Sequence, residues 1–138
     1  MKRTWIAVMI VLLGAAVMGG YAVLDRIFPK AEPVNCPDIE NVRTITLIQN
    51  NGGSLVVEAA DFGKILKNIA DTQPTRAMSV NDYPYAKTYY TIEVDTAARR
   101  YRYFLYAERS QVYIELPYEG IYQSNQQFLD FIAAYFGE

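Results

Sequence analysis

The chain has 138 residues, with 15 Asp and Glu against 13 Lys and Arg, no histidine and one cysteine. A formal charge of −2 argues against a nucleic-acid partner, because binding phosphates takes a concentrated basic surface. The missing histidine removes the usual general base near neutral pH and the commonest zinc ligand. One cysteine allows neither an internal disulfide nor a thiolate metal site.

Residues 5–24, opening on Trp5 and closing on Leu24, carry no charged side chain and lie just behind Lys2 and Arg3, with only Thr4 between. At about 1.5 Å rise per helical residue, roughly 20 apolar residues match a hydrocarbon core about 30 Å thick. A transmembrane helix is therefore predicted within residues 1–26. A cleaved signal peptide is the alternative, since Lys2 and Arg3 form a basic leader and Gly20 and Ala22 stand at the spacing a signal peptidase prefers. The run exceeds the roughly 7–15 residues of a signal core, and Trp5 sits where an interfacial aromatic belongs, which favours an uncleaved signal anchor. A short basic N-terminus points to the cytoplasmic side. The expected protein is single-pass in the cytoplasmic membrane with its C-terminal domain outside the cytoplasm; cleavage would instead release a secreted domain.

Residues 27–37 contain Pro29, Pro33 and Pro37, which stop the helix and favour extended, semi-rigid chain, so a stalk is predicted there. Cys36 lies in it and is read as an exposed thiol, incidental or bridged to another molecule. Residues 38–138 are long enough for one core and too short for two. The soluble domain is expected to be monomeric.

Within that domain the β-branched residues 42–49 predict a strand, Asn50, Asn51, Gly52 and Gly53 a turn with positive φ, and residues 54–58 the returning strand. Asp61 is placed to cap a helix in which Phe62, Ile65, Leu66 and Ile69 form one apolar stripe. Alternation over residues 87–95, 100–107 and 111–116 predicts three strands in a meander. Their inward sets are Tyr90, Ile92 and Val94, then Tyr101, Tyr103 and Leu105, then Val112, Ile114 and Leu116. The outward face carries Tyr89, Arg100, Arg102, Phe104, Tyr106, Tyr113 and Glu115, with Glu93 and Asp95 opposite the arginines. Ser124 and Gln127 have capping-box spacing ahead of Phe128, Leu129, Phe131, Ile132 and Tyr135. The fold class is α+β: an N-terminal transmembrane helix, then an antiparallel sheet of about five strands with two helices on one face, in the order ββαβββα. The other face is left open to solvent or a partner.

The stretches Tyr101-Arg102-Tyr103-Phe104-Leu105-Tyr106 and Val112-Tyr113-Ile114-Glu115-Leu116-Pro117-Tyr118-Glu119-Gly120-Ile121-Tyr122 resemble the C-terminal signature of a family of small extracytoplasmic domains of unknown function. The resemblance covers residues 38–136, including the strand opening Val42-Arg43-Thr44-Ile45-Thr46. It implies a domain behind a membrane anchor or lipoprotein signal in Gram-positive bacteria, sometimes attached to membrane proteins related to antibiotic-sensing receptors. It implies no catalytic or binding residue.

Catalytic groups are hard to assemble. Ser54, Ser79, Ser110 and Ser124 occupy predicted turns or caps, and none lies in a G-x-S-x-G setting. Glycoside hydrolysis needs two carboxyl groups facing each other about 5–9.5 Å apart. Glu93, Asp95, Glu115 and Glu119 are the candidates, but the first three alternate outward beside arginines as a surface charge ladder. The glycines near residue 52 belong to a hairpin rather than a helix N-terminus, and no carboxylates have calcium-loop spacing. No catalytic residue, metal or cofactor is predicted, and the chain is not expected to be an enzyme.

Tyrosine stands above background, with 12 in the chain. Many suit a sheet for packing reasons, but a ring with a wet hydroxyl is also a good contact group. The predicted binding surface is Tyr83, Tyr85, Tyr113, Tyr118, Glu119 and Tyr122: Tyr113 points outward, and Pro117 and Gly120 break the strand and present Tyr118 and Tyr122 on an irregular segment. The leading expectation is a membrane-anchored extracytoplasmic binding or sensing module with a protein or cell-envelope partner. The alternatives are an inhibitor or immunity-type protein blocking a secreted enzyme or toxin, and a small cell-envelope hydrolase using carboxylates.

Overall fold

The computed structural model describes residues 2–138, with side chains from Trp5 onward. The chain divides into two compact units, Met1–Lys30 and Ala31–Glu138. The first is one helix, α1 (Lys2–Ile27), of which Trp5–Ile27 is long and apolar enough to cross a membrane. The side chains of Lys2 and Arg3, on which the expected orientation rests, lie outside the described residues.

The second unit contains β1 (Val42–Gln49), β2 (Ser54–Val56), α2 (Phe62–Ala70), β3 (Gln73–Pro74), β4 (Tyr90–Thr96), β5 (Arg100–Glu108), β6 (Gln111–Leu116), β7 (Gly120–Gln123) and α3 (Gln126–Ala134). The strands form one sheet in the order β2-β1-β4-β5-β6-β7-β3, and every pairing is antiparallel. The fold is α+β, with seven strands rather than about five. Two were missed for different reasons: β3 is two residues long and includes Pro74, and β7 resumes after a turn whose Pro117 reads as the end of pairing.

The register fixes which side chains meet. Ile45 and Leu47 lie opposite Val94 and Ile92, Ile92 and Tyr90 opposite Tyr103 and Leu105, Leu105 opposite Ile114, and Ile114 opposite Tyr122. These side chains share one face, since facing residues of antiparallel strands point the same way. Phe62, Ile65, Leu66 and Ile69 of α2 and Phe128 and Ile132 of α3 close over that face in a single apolar cluster. Fully burying each aliphatic or aromatic side chain stabilises by about 1.5–3 kcal/mol.

Local details depart from the expected capping and turns. Asn125, not Ser124, caps α3, its Oδ1 accepting from the Phe128 N–H at 2.9 Å. The Ser124 Oγ is buried without a hydrogen-bond partner among the described residues. Asp61 does precede α2 but makes no side-chain cap; it accepts from the Tyr135 hydroxyl instead. Positive φ occurs not at Gly52 or Gly53 but at Arg109, Ser110, Tyr118 and Gly137. Arg109 and Ser110 join the paired Glu108 and Gln111, the two-residue hairpin whose twist suits left-handed backbone at both positions.

The domain begins earlier than residue 38. Ala31 donates its N–H to the Thr75 carbonyl at 3.1 Å, and Val34 and Cys36 pack against the core, so residues 31–37 are not a separate stalk. The Tyr103 hydroxyl donates to the Asn35 carbonyl at 2.6 Å. Gly120 is required where the chain enters, because a Cβ there would lie 2.7 Å from the Ala31 Cβ. The Cys36 thiol is half-buried rather than exposed and points to the Leu66 carbonyl at 3.6 Å.

Burial is the largest cause pushing the Cys36 thiol up to about 11. Burial, followed by hydrogen bonds to Glu138 and Asp61, pushes Tyr90 and Tyr135 up to about 12. The folded chain thus holds these protons more tightly than the unfolded one. Their stabilisation is complete below the unfolded thiol value and is lost as pH rises through about 9 to 12. Thermal unfolding followed across that range should show a falling midpoint, and Cys36→Ala should flatten the section between about pH 9 and 11. An unchanged slope in Cys36→Ala would show that the thiol is not the group responsible.

Candidate binding surface

Residues 75–89 leave the sheet after β3, cross its outer face and return at β4, covering a face that the strand pattern alone leaves open. The crossing is fastened at both ends. Thr75 donates its N–H and its hydroxyl to the Ile121 carbonyl, at 3.1 and 2.6 Å. At the far end Asn50 acts as a clamp: its N–H donates to the Tyr89 carbonyl at 3.1 Å, its Nδ2 to the Lys87 carbonyl at 3.1 Å, and its Oδ1 accepts from the Tyr89 N–H at 3.0 Å.

The middle of the loop is pinned by a carboxylate. Glu115 is only 5% exposed; its Oε1 accepts from the Ser79 hydroxyl at 2.7 Å and its Oε2 from the Tyr106 hydroxyl at 3.1 Å. Burial, then the Glu115 charge, push the Tyr106 phenol well above its ordinary value. Phe104 is fully buried beneath the loop, with the Tyr83 and Tyr89 rings 5.7 and 5.5 Å from its centroid. Such tilted and edge-on contacts are favoured between aromatic rings.

The loop's exposed side is apolar. Beyond residue 30 the exposed large apolar side chains among the described residues are Ile39, Val56, Met78, Val80, Tyr83, Tyr85 and Tyr118. All but the first two lie on the loop or on the turn beside it. Tyr85 is 92% exposed and Tyr118 65%. Asn81 and Asp82 draw these two rings to one short segment: the Tyr85 hydroxyl donates to Asn81 Oδ1 at 3.4 Å and the Tyr118 hydroxyl to Asp82 Oδ1 at 2.8 Å. The hydrogen bond to Asp82 raises the Tyr118 phenol. Tyr118 also has φ of 63° in a turn closed by the Glu119 N–H on the Leu116 carbonyl at 3.1 Å. With Pro117 ahead of it, this is the turn position that glycine ordinarily fills.

Of the expected surface, Tyr83, Tyr85, Tyr118 and Glu119 are exposed, and the first three share the loop and its neighbouring turn. Tyr113 is half-buried, its ring centroid 5.9 Å from that of Tyr106. Tyr122 does not belong: at 2% exposure it sits in the core, because β7 resumes at Gly120 and the two-residue alternation turns Tyr122 inward. Met78 and Val80 were missed. The signal available was two apolar residues flanking a serine inside an otherwise polar loop.

The carboxylates expected to serve a hydrolase are engaged separately. Arg102 donates to Glu93 from Nε and Nη2 at 3.1 and 2.9 Å, and Arg100 donates from Nε to Asp95 at 2.6 Å. Glu115 does not join this ladder as its strand position predicted; the loop covers it and hydroxyls satisfy it. Glu93 and Arg102 line one wall of a groove of ≈ 370 Å³ shared with Tyr83, Tyr89 and Asn50, whereas Glu119 lines a separate depression of ≈ 90 Å³. Among the described residues no group of His, Cys, Asp and Glu is placed to hold a metal ion.

A seven-stranded antiparallel sheet with two helices on one face and a pinned aromatic loop on the other defines a small α+β module behind an apolar helix. The chain belongs to a family described as Domain of unknown function (DUF5300), whose model matches residues 30–123. It is similar to the NMR structure of a protein from Ruminococcus gnavus, with 31% sequence identity and a TM-score of 0.58, over 69% of this chain and 97% of that one. No curated protein matches the chain.

Ser79→Ala would leave the buried Glu115 Oε1 unpaired, at a cost of about 1–3 kcal/mol. A loss of 1 kcal/mol lowers the thermal midpoint of a domain this size by roughly 4–8 °C. Limited proteolysis should therefore cut Ser79→Ala faster within residues 75–89, while Ser110→Ala on the exposed hairpin should match the unaltered chain. Equal cleavage of all three would mean that the serine does not hold the loop.

Proposed function

We propose that this chain is a membrane-anchored extracytoplasmic binding or sensing module, without catalytic activity, that meets a protein or cell-envelope partner through the aromatic loop and the Tyr118 turn. One observation carries the reading: exposed apolar side chains concentrate on a loop whose backbone is fastened by Thr75, Ser79 and Asn50. A loop held this way offers its rings with little ordering left to do on binding, and preorganisation of that kind favours affinity. The conformation of Tyr118 supports the same reading. A non-glycine residue in the left-handed region costs about 1–2 kcal/mol, and such outliers gather where function needs them.

Topology is tested away from the half-buried Cys36. In intact cells, a chain carrying Cys36→Ala and Ala98→Cys should react with a membrane-impermeant maleimide, since residue 98 lies on an exposed turn. Reaction only after lysis would reverse the orientation, and recovery of the label in a soluble mature form would replace the anchor with a cleaved leader.

Recognition is tested by replacing Tyr83 with p-benzoylphenylalanine and irradiating native membranes. Tyr85→Ala with Tyr118→Gly should lower the adduct yield by at least about tenfold, roughly 1.4 kcal/mol, as losing contact hot spots does. Tyr118→Gly alone should not lower the thermal midpoint, because relief of the backbone offsets the exposed hydrogen bond that is lost. A large loss of stability with unchanged adduct yield would make these tyrosines structural.

A further inference from the structure

We infer that the occupant of the aromatic surface is the lipid bilayer itself, with Tyr85, Met78, Val80 and Tyr118 resting in the headgroup region of the membrane that α1 spans. This rests on the membrane-anchored reading above and names the partner of the same surface. The first step is the shortness of the connection. From the end of α1 at Ile27 to the first domain residue, Ala31, the chain reaches about 14 Å even when fully extended. That is close to the roughly 13 Å radius of gyration of a domain of this length. So short a tether keeps the surface around the entry point within reach of the headgroups.

Where the chain enters the domain decides which part. Ala31 donates to the Thr75 carbonyl and abuts Gly120. Thr75 opens the aromatic loop, and Gly120 lies two residues past Tyr118. The entry point is thus beside β3, at one edge of the sheet, whereas Val56, the exposed apolar residue of β2, lies at the opposite edge. Met78 and Val80 follow Thr75 by three and five residues and Tyr118 precedes Gly120 by two, so the exposed groups stem from the two points that the entering chain touches.

Their chemistry suits that zone. Tyrosine is enriched at membrane interfaces, where its ring meets the acyl boundary and its hydroxyl the headgroups. Acidic Asp82 and Glu119 are balanced by basic Arg76 and Lys87 on the same loop and turn, so the contact is carried by its apolar groups and zwitterionic lipid suffices.

The test uses the full chain in phosphatidylcholine vesicles containing acyl-brominated lipid. Trp5 is the sole tryptophan, so Trp5→Phe clears the background and Tyr85→Trp adds one reporter at a side chain that is 92% exposed. Val56→Trp, in the same background, reports the far edge. Brominated lipid should lower emission from the Tyr85→Trp chain at least about twofold while leaving the Val56→Trp chain unchanged, as interfacial depth requires, and 1 M salt should not reverse it. Equal quenching of both would mean that the domain has no preferred face and would overturn the inference. If the Tyr85→Trp chain is not quenched but the benzoylphenylalanine variant forms a protein adduct, the surface binds a protein, and the bilayer inference fails while the binding reading stands. If there is neither quenching nor an adduct, both fail.

Discussion

A carboxylate buried with no cation paired to it among the described residues organises the outer face of this domain. Removing Glu115 from water would be expensive were its oxygens left bare, and each is instead given a hydroxyl, one from Tyr106 on the neighbouring strand and one from Ser79 on the loop above. The strand hydroxyl is supplied by the sheet itself. The loop hydroxyl arrives only if residues 75–89 lie across the sheet, so satisfying the carboxylate and closing the loop are one event. Phe104 adds the apolar part of the same contact, because the Tyr83 and Tyr89 rings that shelter it belong to the loop.

Holding the loop down has a geometric consequence at the edge of the sheet. Its first residue, Thr75, extends β3 past Ile121 and is the one to which the incoming chain bonds. The chain's entry, the short edge strand and the root of the aromatic loop are therefore joined by consecutive backbone hydrogen bonds. Both edge strands are short, three residues in β2 and two in β3, and short edges offer little template for pairing with another chain. At the β3 edge the Ala31 segment covers part of what remains.

The inward face could be read from residue order, since strict alternation and one apolar helix stripe carry the information that decides it. Ile92, Tyr103, Leu105 and Ile114 fall where a period of two places them. The outer face could not be read that way. Alternation says that Phe104, Tyr106 and Glu115 leave the core side, but not that the fifteen residues 75–89, further back in the chain, return to cover them. That depends on contacts such as Ser79 to Glu115, 36 positions apart, which have no local signature. Tyr122 failed for a related reason: Pro117 and Gly120 look like the end of a sheet, and only the pairing of Ile114 with Tyr122 shows that the chain has turned and resumed. Tyr83, Tyr85 and Tyr118 are exposed as expected, because a proline or a turn neighbour kept them out of any alternating run.

Left-handed backbone by itself does not mark a binding residue here. Arg109 and Ser110 share it with Tyr118, and in the β5–β6 hairpin the twist of the paired strands is explanation enough. At Tyr118 glycine would serve the turn at no steric cost, and the ring present instead buries little of itself. The hydroxyl bond to Asp82 holds the ring toward the loop rather than letting it sweep through solvent. Backbone cost, low burial and a fixed direction together are hard to reconcile with a purely structural side chain, since the fold would be better served by a smaller residue. On the proposed reading they are the properties of a group kept for a contact outside the chain.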